Sequence, residues 1–442
     1  MSRAGSYALV FAVVVGTTLL TTPLVRRLAV RGGAVVKPDE RRVHERPTPT
    51  LGGIAMALGF LAGMVVAWRL DAFRDMFAGS TEALGVVVAA LITVAVGVID
   101  DLREVSAPAK VAGIVLAASA LVLSGVSIFV LRIPFTGLLQ LSSDWSYLIS
   151  VVWVLAVANA INLIDGLDGL AAGIVAIAAA TFFAYTLRLG DAGLLAPSNI
   201  GPLVALVVLG MCVGFLPFNV HPARIFMGDG GALVLGVLMA ASTMVVGGRT
   251  DQPFSGNVFF FYAPMLIPLV ILGVPLVDTA LAIVRRAARR SGVATADKDH
   301  LHHRLMRMGH GHRRSVLLLW AWTALLSGFV LYPTYTGQGN GIVPLVILGA
   351  LLLLFTILHP GVSRRRTGEP GEPGEDADQL VETAAGPAPA VGLTAADAAT
   401  AVPVDGRQLR RRASRERARR RAQAGQPGTG PTGGRNDRRR RS

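Results

Sequence analysis

The sequence predicts an all-α polytopic membrane protein of about eleven transmembrane helices, with its amino terminus outside, its carboxyl terminus cytoplasmic and a disordered C-terminal tail. Three observations predict it. Hydrophobic residues make up 52% of the 442 and charged residues only 16%, where a soluble domain carries about a quarter charged. Several apolar stretches reach about 18–20 residues, enough to cross ~30 Å of hydrocarbon as a helix. Basic residues also crowd into alternate loops, which sets orientation.

The first apolar run, 6–25, lacks the basic start of a cleaved signal and is followed by Arg26 and Arg27, so it reads as a retained span. Further spans are expected near 51–68, 83–99, 108–125, 146–163, 170–188, 200–217, 232–247, 260–284, 315–333 and 341–358. Pro264, Pro268 and Pro275 interrupt the ninth, which implies a kinked or broken helix. Residues 126–141 alternate, are β-branched and are too short to cross, so a strand or hairpin on the outer surface is expected there. The single Cys212 excludes an internal disulfide.

The loop after the first span holds Arg26, Arg27, Arg31, Lys37, Arg41, Arg42 and Arg46, and the loop after the ninth is equally basic. Even-numbered spans are followed by few basic residues, apart from Arg69 and Arg74. By the positive-inside rule the odd-numbered spans end in the cytoplasm. Residues 1–360 thus form a transmembrane domain and 361–442 a separate tail, rich first in Pro, Gly and Ala and then in Arg. The tail has nothing from which to build a core. With 17 arginines against 10 acids it supplies half of the net charge of +14. Its Arg blocks lack interleaved aromatic residues, which argues against nucleic-acid binding, and suit anionic lipid or plain solvation.

The most informative stretch runs from Asn159 to Leu170, where two amides and two carboxylates arrive within ten residues beside apolar sequence. Burying carboxylates next to a membrane span costs several kcal/mol unless a cation or donor compensates them. On the expected topology, five polar segments fall at the cytoplasmic ends of odd-numbered spans. They are Lys37 to Gly53, Asp100-Asp101, Asn159 to Asp168, Pro217 to Gly231, and Asp297 to Arg304. This convergence at one face and one depth points to an enzyme open to the cytoplasm. A secondary transporter fits less well, because its acids sit near the bilayer midplane within repeated halves.

Asp100, Asp101, Asp165, Asp168 and Asp229 repel one another when brought together unaided, and their oxygens suit Mg²⁺ or Mn²⁺. Mg²⁺ held by one or two carboxylates typically also holds substrate phosphates. Arg and His groups from the loops then match a pyrophosphate. Glycines 52, 53, 228, 230 and 231 permit close backbone approach. Metal, basic loops and a membrane face together suggest phosphoryl transfer between a soluble nucleotide donor and a lipid acceptor. Asn162 and Asp168 also suit helix caps, and His221 before Pro222 suits a turn.

Five motifs resemble the polyprenyl-phosphate N-acetylhexosamine-1-phosphate transferases. They are Thr48-Pro-Thr50-Leu-Gly-Gly53, Asp100-Asp101, Asn159-x-x-Asn162-x-x-Asp165-Gly-x-Asp168-Gly, Asn219-x-His221-Pro-Ala-Arg224-x-Phe-Met-Gly-Asp229, and His300-x-His302-His303. The spacing of the histidines is similar to the N-acetylglucosamine branch; the phospho-MurNAc-pentapeptide translocase branch carries three adjacent histidines and a Lys before its Gly-Thr-Pro-Thr.

The resemblance implies a homodimer in the bacterial plasma membrane that takes UDP-N-acetylglucosamine (UDP-GlcNAc) and a polyprenyl phosphate. Asp229 becomes the principal Mg²⁺ ligand with Asp100 beside it. Asp100 or Asp101 deprotonates or orients the lipid phosphate, and Asp165 joins them at the reacting centre. Substrate contacts are assigned to Thr50, Asn162, Asp168, Asn219, His221, Arg224, His300, His302, His303 and Arg304, with Asn162, Asp165 and Asn219 positioning nucleotide and metal. Direct attack is favoured over a phospho-enzyme.

Overall fold

In the computed structural model, the described residues are 1–36, 47–103, 105–133, 137–247, 272–288, 304–306, 308–336 and 342–358. The chain is mostly helical. Helix α1 is Arg3–Arg31, α2 Gly52–Arg69, α3 Arg74–Ala78, α4 Glu82–Arg103, α5 Ala107–Leu123 and α6 Ser143–Ile164. Then follow α7 Leu170–Asp191, α8 Gly201–Asn219, α9 Gly228–Gly247, α10 Gly273–Ala288, α11 Gly311–Thr336 and α12 Ile342–Leu358. Among the described residues, eight helices are long and apolar enough to cross a membrane: α1, α2, α4, α6, α7, α8, α9 and α11. The shorter apolar helices α5 and α12 coincide with the expected fourth and eleventh spans. The first half of the expected ninth span, 260–271, lies outside the described residues, as do the histidine triplet and the tail.

Within 126–141 the described residues include two paired strands. Strands β3 (Val130–Ile133) and β4 (Gly137–Gln140) pair antiparallel, Val130 opposite Gln140. A shorter antiparallel pair, β1 (Val35–Val36) and β2 (Thr48–Pro49), leads into α2.

Helix α9 is the axis of the bundle. Every residue from Gly230 to Gly247 is buried, so this helix touches protein on all sides. It packs against α2, α4, α6 and α8. With lipid tails as apolar as the helices, such association depends on close van der Waals fit, which small residues provide. The sequence supplies them: a Cβ on Gly53 would run into the backbone of Gly230 and Gly231, and one on Gly97 into Gly230. Gly236 meets the Ala158 backbone of α6 in the same way. The cores of α7 and α8 are filled by Phe182, Ile174, Leu170 and Phe215, and Cys212 lies buried among them as a small apolar residue.

This packing sets the site. Backbone contact between α2, α4 and α9 brings the first turn of α2, the last turn of α4 and the first turn of α9 together at one end of the bundle.

Candidate active site

Leu51 precedes α2 with φ 77°, in the left-handed region where a branched side chain costs roughly 1–2 kcal/mol. That turn aims the Gly52 and Gly53 N–H groups at Phe226 O (3.0 Å) and Met227 O (2.8 Å), while Phe226 N–H donates to Pro49 O (2.9 Å). The Thr48–Gly53 and Val220–Asp229 motifs are thereby stitched into one unit. Thr50 is buried, with its hydroxyl and the Asp101 carboxylate both close enough to Gly228 to exclude a side chain there. Gly228 has φ 69°, so it needs glycine on conformational grounds as well.

Asp101 accepts the N–H groups of Asp229 (2.9 Å) and Gly230 (3.4 Å). It caps the amino terminus of α9 from another helix, where a carboxylate is favoured by unpaired donors and the helix dipole. Its neighbour Asp100 accepts Val105 N–H (2.7 Å) and pairs with Lys110 at 2.9 Å. Lys110, in the first turn of α5, also pairs with Asp229. The Asn162 amide, oriented by its hydrogen-bond network, donates to Asp229 Oδ1 (2.8 Å) and accepts from Lys110 Nζ (3.1 Å). Four helices thus deliver Asp100, Lys110, Asn162 and Asp229 to one point, with Asp101 fixing the helix that carries Asp229.

Asp165 ends α6, and its N–H donates to Asn162 O at 3.3 Å. Burial, then the charges of Asp229, Asp101 and Asp168, push its carboxyl up to about 8. Asp168 stands in a second group. Its Oδ2 lies 2.7 Å from His221 Nδ1 and accepts Ala223 N–H at 3.0 Å, and His312 Nε2 is 4.0 Å away. The rings of His221 and His312 stack with centroids 4.1 Å apart, and Arg313 donates to His221 O at 3.4 Å. Asn219 is buried with both ends of its amide engaged: it accepts Gly169 N–H (3.0 Å) and donates to Ile225 O (3.1 Å). Its place is to join the two loops. Arg224 is exposed, and its carbonyl accepts Arg26 Nε at 3.0 Å. Arg304 is exposed, while His300, His302 and His303 lie outside the described residues.

Sequence reasoning missed three contributors. Lys110 opens an apolar helix and reads as an ordinary interfacial charge. A signal was present, since Lys110 is one of only three lysines in a chain that otherwise uses Arg. A compact ammonium fits between two carboxylates where a planar guanidinium does not. His312 and Arg313 sit past the last recognised motif, and only the approach of α11 brings them in.

Asp100, Asp101, Asp165 and Asp229 set four carboxyl groups against one ammonium, which leaves an oxygen-rich site short of positive charge. Lys110 already occupies the position of a bridging cation between Asp100 and Asp229. Hard oxygen donors with excess negative charge fit a divalent metal such as Mg²⁺.

Comparison with known proteins decides the family. The pattern of glycosyl transferase family 4 matches residues 83–247. Decaprenyl-phosphate N-acetylglucosaminephosphotransferase of Mycolicibacterium smegmatis is 37% identical over 358 residues, 78% of this chain and 87% of that protein. The chain belongs to glycosyl transferase family 4. A probable undecaprenyl-phosphate N-acetylglucosaminyl 1-phosphate transferase of Bacillus subtilis is 36% identical over 322 residues, 72% of this chain and 81% of the relative. Phospho-N-acetylmuramoyl-pentapeptide-transferase of Desulforudis audaxviator is 33% identical over 342 residues, covering 72% and 93%. In this family member the matched region includes Asp100, Asp101, Lys110, Asn162, Asp165, Asp168 and Asp229, the residues that the tertiary structure gathers.

Proposed function

We propose that this protein transfers N-acetylglucosamine 1-phosphate from UDP-GlcNAc to a polyprenyl phosphate, releasing UMP. The observation that carries the reading is the Asp100–Lys110–Asn162–Asp229 constellation at the ends of four apolar helices. Support comes from the names of the 37% and 36% identical relatives, which favour this donor over the pentapeptide-bearing one.

Asp229 and Asp100, with Asn162 beside them, would hold Mg²⁺ or Mn²⁺, which when bound supplies charge neutralisation to the donor's pyrophosphate. A phosphate monoester has a second pKa of about 6, so the acceptor oxygen is largely unprotonated at neutral pH. The carboxylates therefore need not abstract a proton; their work is positioning. A new P–O bond forms between the acceptor oxygen and the sugar-bearing phosphorus, and the bridge to the uridine-bearing phosphate breaks in line. Lys110 offers its ammonium to the negative oxygens, Asp101 holds the first turn of α9 in register, and Asn219 fixes the loops around Asp168. Such a reaction asks for alignment and charge compensation more than for covalent help.

The same proposal places the site at the cytoplasmic face of a bacterial plasma membrane, with the amino terminus outside, and includes a homodimer. The orientation is supported by the basic loops after the first and ninth expected spans. The test is direct. Purified protein receives radiolabelled UDP-GlcNAc, Mg²⁺ and a polyprenyl phosphate, and UMP release is followed with and without chelator. Turnover is expected, with loss on chelation and in Asp229→Asn. Robust turnover by a folded Asp229→Asn protein would overturn the metal assignment, and UMP release without labelled lipid would overturn the transfer.

A further inference from the structure

Apart from the carboxylate–lysine constellation, a second group of ligating side chains converges from three separate elements. Asp168 comes from the turn after α6, His221 from the loop after α8, and His312 from the first turn of α11. Their nearest ligating atoms all lie within 4.8 Å of one another. We propose that Asp168, His221 and His312 form a site for a borderline transition metal of the Zn²⁺ class, separate from the oxygen site around Asp229.

The chemistry of the donors argues for that class. Two imidazoles and one carboxylate suit Zn²⁺ or Co²⁺, whereas Mg²⁺ prefers oxygen alone. A Zn²⁺ ion about 2.1 Å from each donor sets the donors roughly 3.4 Å apart. The two separations to Asp168 Oδ2, 2.7 Å from His221 Nδ1 and 4.0 Å from His312 Nε2, bracket that value. The donor nitrogens of His221 and His312 lie within 4.8 Å of each other with their rings stacked, so closing the site takes rotation of the imidazoles as well as shifts of the donors.

The surroundings argue for it as well. His312 Nε2 is buried without a hydrogen-bond partner among the described residues, a cost that a bound cation removes. Ala223 N–H holds Asp168 Oδ2 in place, which orients the carboxylate as outer hydrogen bonds do at metal sites. The His221 side chain is 38% exposed, giving entry from solvent and room for a water as fourth ligand. A metal here ties the Asp165–Gly169 turn, the Val220–Met227 loop and the start of α11 into one unit, so binding stabilises the folded chain.

Cobalt(II) is the probe, because its visible d–d bands report nitrogen ligation directly. Full-length protein without a polyhistidine tag is stripped with chelator in detergent and then given Co²⁺ in the presence of excess Mg²⁺. Bands are expected in the wild type and in Asp229→Asn, and their loss in His312→Ala and His221→Ala. Zn²⁺ should raise the melting temperature of the wild type and leave that of His312→Ala unmoved. The near-isosteric Asp168→Asn covers a histidine variant that elutes as aggregate. Absence of bands in the wild type overturns the proposal, as does their persistence in the folded histidine variants. Loss only when His300, His302 and His303 are replaced would move the metal to that triplet and equally overturn it. Because Asp229→Asn keeps this site while removing the proposed transfer site, failure here is distinguishable from failure of the transfer reading.

Discussion

Lys110, at the start of α5, pairs with Asp229, at the start of α9 and 119 positions further along the chain. The same ammonium lies 2.9 Å from Asp100, so one cation holds two acids that would otherwise repel. Its side chain and that of Asp100 are both largely withdrawn from solvent, so removing either partner leaves an uncompensated buried charge.

Replacing Lys110 by Met leaves two carboxylates without their counter-charge. Stability should fall by about 3 kcal/mol, the scale for breaking a buried pair from one side. Turnover should drop roughly 10²–10³-fold, as on losing one donor to a developing charge. Mg²⁺ should restore more of the lost melting temperature in this variant than it adds to the wild type. Thermal scans with and without Mg²⁺ check this; equal shifts would show that Lys110 and the metal do not share the carboxylates.

Asn219→Ala orphans Gly169 N–H and Ile225 C=O, both now satisfied by its amide. A cost of about 1–3 kcal/mol per buried unpaired group follows. Asn219→Asp, which keeps the acceptor and loses the donor, should fall between. A side chain that instead contacts only substrate would lower turnover and leave the melting temperature unchanged.

Gly97→Ala drives a methyl into the Gly230 backbone and should separate α4 from α9. Overpacking of this kind costs typically ~1–3 kcal/mol, and here it also displaces Asp100 and Asp101. A Cβ added at Gly16 in α1 would meet nothing within 4 Å, so Gly16→Ala should be neutral or stabilising by up to about 1 kcal/mol. Parallel melting curves and turnover of the pair test whether close approach, rather than glycine itself, is what matters.

Asp165 carries a sign that pH measurements can read. Its carboxyl sits at about 8 when folded, well above the ~3.9 of an unfolded chain. Between these values the folded state binds the extra proton, so this group's contribution is present at low pH and lost as pH rises through 8. Metal-free wild type should therefore lose stability from pH 5 to pH 9 relative to Asp165→Asn. A constant gap across that range would show that the carboxyl is not held in this environment.

Much of the site was legible because its residues stand out against apolar sequence. Asp100, Asp101, Asn162 and Asp229 appear as polar residues at the ends of long hydrophobic runs, and the structure brings them to one place. The alternating segment 126–141 was likewise readable, since a period of two over a short length excludes a span. Their division of labour was not readable. In a string of letters Asp101 looks like a catalytic group and Asn219 like a substrate ligand, yet their polar atoms are engaged with backbone groups. Which donor a carboxylate meets depends on which helix end lies beside it, and spacing along one segment carries no information about that.

Sequence by itself determined that the chain is a bundle of apolar helices with acids at their ends, because hydrophobicity and helical length are local quantities measured against a bilayer of fixed thickness. Only the tertiary structure decided that Lys110 bridges Asp100 and Asp229, that His312 meets Asp168, and that α9 is enclosed on every side. Those outcomes arise from the approach of glycine-bearing helix faces, which fixes side chains more than a hundred residues apart to within hydrogen-bonding reach.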